Sequence, residues 1–136
     1  MSYLLDTNVC IRYLNGQSPA TRLRLQQTDP ANVFLCSVVK AELLFGAAKS
    51  RASQQTLSKL ERFFSAFESF PFDDPAAPVY AKVRAELERQ GTPIGPNDLM
   101  IASIALARKL TVVTANTREF ARVDGLQWED WEASSA

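Results

Sequence analysis

Short apolar runs alternate along the chain with longer stretches in which apolar residues recur every three or four positions. Tyr3-Leu4-Leu5 is such a run, ended at once by Asp6, and it reads as a buried strand. Thr7 or Asn8 is placed to cap a helix over Val9-Cys10-Ile11-Arg12-Tyr13-Leu14, which Asn15-Gly16 closes. Ser18-Pro19 opens a second helix, and Val33-Phe34-Leu35-Cys36 predicts a second strand. Ser37 then stands where an N-cap belongs, ahead of a helix from Val38 to Ala48. Ala41, Leu44, Phe45 and Ala48 fall there at the spacing of one apolar stripe.

A longer helix is predicted over about Gln54–Phe67, with Phe70-Pro71-Phe72 as a short edge strand. Asp74-Pro75 opens a helix with Val79, Val83 and Leu87 on one face, closed by Gly91. After the stiff loop Thr92-Pro93-Ile94-Gly95-Pro96, Asn97 is the expected cap of a helix carrying Leu99, Met100, Ile101, Ile104, Ala105 and Leu106. Thr111-Val112-Val113-Thr114 is another buried strand, followed by a short helix around Arg118–Ala121 and by Leu126-Gln127-Trp128. Strands alternating with helices imply parallel β-α-β crossovers, hence a three-layer α/β/α sandwich about a parallel sheet. With no repeat, linker or low-complexity segment, residues 1–136 are expected to form a single domain.

A chain of 136 residues buries roughly two-thirds of its unfolded surface and needs no disulfide or metal to fold. No apolar run approaches the roughly 20 residues of a membrane span. The start, Met1-Ser2-Tyr3-Leu4-Leu5-Asp6, has no basic region and meets an acid immediately, which argues against a signal peptide. With two cysteines, both in apolar runs, a cytoplasmic protein with Cys10 and Cys36 in its core is expected.

Histidine is absent, and that removes Ser–His–Asp hydrolases, Cys–His proteases, His-ligated zinc and paired-histidine cleavage of RNA. Hydrolysis by this chain must rest on carboxylates, with a hard cation as their natural partner. Net charge is +0, yet residues 1–62 hold eight Lys/Arg against four acids, leaving +4 there and −4 in residues 63–136. Such a division suits a basic face over a nucleic-acid path, and equally a set of solvated helix surfaces.

In open parallel sheets, ligands bind beyond the carboxyl ends of the strands, where helices begin. Asp6 ends the first strand, Glu42 lies one turn into the helix after the second, and Asp98 lies in the first turn after the Gly95-Pro96 loop. Asn116 follows the strand ending at Thr114, with Glu119 one turn later. If the strands are neighbours, Asp6, Glu42, Asp98 and Asn116 meet at one edge. Two such charges ~4 Å apart repel by about 4 kcal/mol at an effective dielectric of 20. A divalent cation reverses that repulsion, and oxygen-only ligation selects Mg²⁺ or Mn²⁺. Taken singly, each residue has a plainer reading: Asp98 and Glu42 favour a helix dipole, while Asp6 and Asn116 suit a turn or cap.

The local sequences carry a resemblance. Tyr3-Leu4-Leu5-Asp6-Thr7-Asn8 resembles the opening motif of PIN-domain proteins, and Ser37-Val38-Val39-Lys40-Ala41-Glu42-Leu43 with Gly46 resembles their second motif. Ile94-Gly95-Pro96-Asn97-Asp98-Leu99-Met100-Ile101-Ala102 is similar to the third. Val113-Thr114-Ala115-Asn116-Thr117-Arg118-Glu119-Phe120, with Gly125-Leu126 and Trp131, is similar to the closing segment of VapC-type toxins. Four motifs in order cover essentially the whole chain.

The resemblance implies a PIN-like ribonuclease that uses Mg²⁺ or Mn²⁺ to hydrolyse RNA, leaving 5′-phosphate and 3′-hydroxyl ends. Asp6 and Asp98 would ligate the metal, and Glu42 would bind it directly or through water and orient the nucleophile. Some PIN domains carry a fourth acid in the closing segment; this chain has Asn116 there, with Glu119 nearby. Thr7, Asn8, Thr114 and Thr117 would hydrogen-bond around the acids. The resemblance also implies a homodimer silenced by a small VapB-type antitoxin laid into an apolar groove, meeting DNA only through that antitoxin. Phe63, Phe64, Phe67, Phe70 and Phe72 serve such an interface or ordinary core packing. Two other readings compete: a PIN-like module that binds RNA or protein without cutting, and an aspartyl phosphatase. The second usually needs another acid two residues after the first, where this chain has Asn8.

Overall fold

The computed structural model describes residues 1–133; the last three positions of the expected 1–136 domain lie outside them. Five parallel strands form one sheet: β1 (Tyr3–Leu5), β2 (Val33–Cys36), β3 (Glu68–Phe70), β4 (Thr111–Val113) and β5 (Trp128–Glu129), in the order β3-β2-β1-β4-β5. Tyr3 aligns with Val33 on one side and Thr111 on the other, so β1 is the centre of the sheet. Strands covered on both faces read as unbroken apolar runs, and Leu4, Leu5, Leu35, Val112 and Val113 are fully buried.

The described helices are α1 (Thr7–Leu14), α2 (Pro19–Gln27), α3 (Ser37–Lys49), α4 (Ser53–Ser65), α5 (Ala76–Arg89), α6 (Pro96–Arg108) and α7 (Thr117–Phe120), with a single 3-10 turn at Pro30–Asn32. Parallel crossovers are right-handed, so the chain winds from β1 out to β3 on one face and returns to β4 and β5 on the other. The packing follows: α1 lies against α2 and α3, α3 against α4, α5 against α6, and α6 against α7. Helices thus cover both faces of the sheet, as the three-layer reading requires.

Three helix starts differ from expectation. Asp6 itself caps α1: its backbone is extended (φ −80°, ψ 172°), and its Oδ1 accepts the Val9 N–H at 2.9 Å. Ser37 is the first residue inside α3, and its Oγ instead accepts the Phe72 N–H at 3.2 Å, tying the helix start to the segment after β3. Gly95 occupies the cap position of α6, with Pro96 first in the helix, where its missing N–H and fixed φ are no handicap. Asn97 therefore does not cap.

The α3 stripe is also corrected. Ala41, Leu44, Phe45 and Ala48 face solvent, while Val38, Val39, Leu43 and Ala47 face the core. The helix is apolar on most sides, so spacing alone offers two candidate faces, and contact with the sheet selects one. Phe63 is buried, and Phe64, Phe67, Phe70 and Phe72 pack against the same core, with Phe34 stacked on Phe70 at 4.9 Å. Core packing accounts for all five of these phenylalanines. Cys10 and Cys36 are free and buried, and burial pushes both thiols up.

The run into α6 is set by a tight stop at the end of α5. Gly91 takes φ +72°, its N–H reaches Glu88 O (3.1 Å), and the Thr92 N–H reaches Leu87 O (2.9 Å). This left-handed ending suits glycine and turns the chain sharply toward the loop before Asp98.

Candidate active site

Asp6 is nearly buried because it leaves the central strand and turns directly into a helix. Its N–H pairs with Val113 O (3.1 Å), which fixes it beside the end of β4. The buried Thr114 hydroxyl reaches its carboxylate. Burial pushes Asp6 above the usual carboxylate range against the lowering of Thr114 and the Val9 N–H, and the charges of Glu42 and Asp130 add to the rise.

Glu42 projects from the second turn of α3, where the Thr7 hydroxyl donates to its Oε1 at 2.7 Å. Thr7 is the first residue of α1, so a single hydrogen bond joins the ends of β1 and β2. Asp98 sits in the first turn of α6, half-buried, where Oδ2 accepts the Asn116 amide at 3.0 Å. The same amide donates to Glu119 Oε2, and Glu119 Oε1 accepts the Gly95 N–H at 2.9 Å. This chain of bonds ties α7 to the loop before α6. Asp98 is raised to about 7, first by burial, then by Glu119 and by the charge of Asp6. Glu119 moves the opposite way, lowered first by its pairing with Asp98 and then by the Gly95 N–H and the Asn116 amide.

Asp6, Glu42, Asp98 and Asn116 all lie at the carboxyl edge of β1, β2 and β4, within electrostatic or hydrogen-bonding reach of at least one other. Among the residues around them, Thr7, Thr114 and Asn116 make the bonds to acids, while Asn8 is exposed. Asp130 was missed in the sequence. It follows β5 as Asp6 follows β1, and the register Val113↔Glu129 puts it on the same edge. A strand of two residues carries too little pattern to be seen in advance.

The donors are all oxygen; among the described residues Arg122 acts on Glu119, while no basic side chain offsets the rise of Asp6 or Asp98. That composition suits a hard divalent ion, which would relieve the repulsion raising Asp6 and Asp98. Among the described residues no three acidic side chains already surround one point closely enough to cage an ion. The set is gathered without being closed.

The PIN domain family model matches residues 3–126. Over 131 residues the chain is 41% identical to the tRNA(fMet)-specific endonuclease VapC of Shigella flexneri, covering 96% of this chain and 98% of that protein. It is 39% identical over 133 residues to ribonuclease VapC2 of Rickettsia felis, covering 97% and 99%. Among solved structures, the DNA-bound VapBC of Salmonella typhimurium superposes with a TM-score of 0.91 at 40% identity, covering 96% of this chain and 98% of that one. Motifs, sheet order and relatives agree over nearly the full length: the chain belongs to the PIN-domain family, among its VapC members.

Proposed function

We propose that this chain is an endoribonuclease toxin that hydrolyses RNA phosphodiester bonds with Mg²⁺ or Mn²⁺ and is neutralised by a VapB-type antitoxin. The observation that carries the reading is the gathering of Asp6, Glu42 and Asp98 at the carboxyl edge of the sheet, without an ion pair among the described residues, in a chain of VapC ancestry. Its relatives include a tRNA(fMet)-specific endonuclease, so transfer RNA is the first substrate to try. Its structural neighbours include VapBC complexes, which supports an antitoxin partner, and we assign contact with DNA to that partner. We further assign a homodimer working in the cytoplasm. Among the described residues no helix is long and apolar enough to cross a membrane.

Asp6 and Asp98 would hold the metal, with Glu42 completing the set directly or through water. When bound, the ion supplies Lewis acidity toward the phosphodiester and hydroxide from water near neutral pH. Thr114 and the Val9 N–H keep the Asp6 carboxylate aimed across the edge. Asn116 steadies Asp98 without adding charge. Glu42, braced by Thr7, orients the attacking water and accepts its proton.

The test is cleavage of a structured RNA pool, transfer RNA included, by wild type and Asp6→Asn, with and without Mg²⁺. Cutting that needs both the metal and Asp6 is the expected result. Folded wild type that binds RNA but never cuts it would instead establish a binding module.

A further inference from the structure

The α3 stripe that faces solvent has not been accounted for by packing. Glu42, Phe45 and Lys49 follow one another at helical spacing, so they lie on one face of the helix. Phe45 is 62% exposed, whereas Phe63 and Phe120 are buried and Phe34, Phe64, Phe67, Phe70 and Phe72 are partly buried against the core. Its ring lines an open cleft of about 460 Å³ together with Glu42, Asn97 and Met100. Asn97 precedes Asp98, and its side chain does not cap α6. The Lys49 ammonium sits 4.6 Å from the Phe45 ring centroid.

We infer that Phe45, Lys49 and Asn97 form a subsite for one unpaired nucleotide beside the bond to be cut. The base stacks on the Phe45 ring, Lys49 takes a backbone phosphate, and the Asn97 amide meets the base edge. The inference rests on the ribonuclease reading above and names the kind of RNA that site accepts.

Four observations favour this occupant. An aromatic face with an adjacent cation is the pairing that holds single-stranded nucleic acid, because every base has a π-face and every linkage a negative charge. Helical side chains lean toward the N-terminus, so Phe45 leans toward Glu42. Phe45 lies about 4.5 Å along the helix axis from Glu42 and Lys49 about 6 Å further, a scale comparable with one or two nucleotide steps. Residues 1–62, which include the stripe, carry the +4 half of the chain. A paired helix would keep its bases inside the stack, so the subsite selects loops and single strands over duplex.

Phe45→Ala, Phe45→Trp and Lys49→Gln are compared with wild type on a short single-stranded RNA and on the same sequence annealed to its complement. Phe45→Ala is expected to raise KM for the single strand roughly tenfold or more while kcat changes little. Phe45→Trp restores KM, and Lys49→Gln lowers the salt slope of binding by about one. Mn²⁺ affinity, read by electron paramagnetic resonance, stays at the wild-type value in all three. An Asp98→Asn background carrying a 2-aminopurine oligonucleotide reports stacking directly: quenching on binding, lost with Phe45→Ala, supports the subsite.

Equal KM for wild type and Phe45→Ala overturns it. So does a change confined to dimer mass or to antitoxin affinity, which would make Phe45 a protein contact. If wild type cuts no RNA the ribonuclease reading fails by itself, and the 2-aminopurine arm still decides whether Phe45 stacks a base.

Discussion

On the outer surface of α5, Glu86 and Glu88 each face an arginine, whereas at the carboxyl edge of the sheet Asp6, Glu42, Asp98 and Asp130 face one another. Arg89 holds Glu86 below its ordinary range. Burial and neighbouring acids lift Asp98 to about 7. The same functional group moves in opposite directions according to what the fold sets beside it. Exposed pairs such as those on α5 are solvated, and their loss changes little. The edge acids are half-buried or buried, cannot be screened so easily, and keep their repulsion in the folded state.

The largest effect should come from removing charge at the edge while keeping shape. Asp6→Asn and Asp98→Asn should each lower RNA cleavage by more than the ~10–100-fold typical of outer partners of a metal site. Asparagine caps a helix as well as aspartate, so Asp6→Asn should melt close to wild type. Asp6→Ala, which loses the bond to the Val9 N–H, should lose about 1 kcal/mol of stability. Unimpaired turnover in folded Asp6→Asn or Asp98→Asn would sink the assignment.

A smaller effect is expected one bond away. Thr7→Val removes the hydroxyl that braces Glu42 and should weaken Mn²⁺ binding, measured by titration, by about tenfold. An unchanged affinity would show that Glu42 needs no brace.

The third prediction concerns stability against pH in metal-free protein. Asp98 is raised from 3.8 to about 7 in the fold, so its neutral form is the one the fold favours. Stability relative to an uncharged side chain is therefore lost as pH rises from about 4 through 7. Asp98→Asn should flatten the fall in Tm between pH 5 and pH 8, and added Mg²⁺ should raise the wild-type Tm more at pH 8 than at pH 5. Parallel curves for the two proteins would remove the repulsion from the account.

The smallest effect belongs to α5. Glu86→Gln breaks the hydrogen bonds from Arg89 on the solvent side of α5 and should leave both Tm and cleavage unchanged within error. A clear loss of either would mean that the two charged regions differ less than their surroundings suggest.

Asp6 illustrates what was legible in the chain. A lone acid ending an apolar run marks a strand end in a parallel sheet, and the structure puts it at the centre of that edge. The three misplaced caps show the limit: Ser37 and Asn97 are as good cap formers as Asp6, but α3 starts one residue earlier and α6 two, because strand pairing sets where β2 ends and the Gly91 turn sets how α6 begins. Asp130 and the outward face of α3 stayed hidden for a related reason, since neither has a local signal that separates it from its neighbours.

Local patterning was sufficient for the alternation of strands and helices, the burial of both cysteines, the exclusion of histidine chemistry and the positions of Asp6 and Asp98 at the starts of helices. These follow from short-range periodicity and from which side chains the chain possesses. The tertiary structure alone decided that β1 lies between β2 and β4, so that acids 92 positions apart share one edge, and that Asp98 is raised while Glu119 beside it is lowered. It also decided which face of α3 meets the sheet. Those outcomes depend on strand order and burial, which are sums over contacts between residues distant in sequence, and no window along the chain contains them.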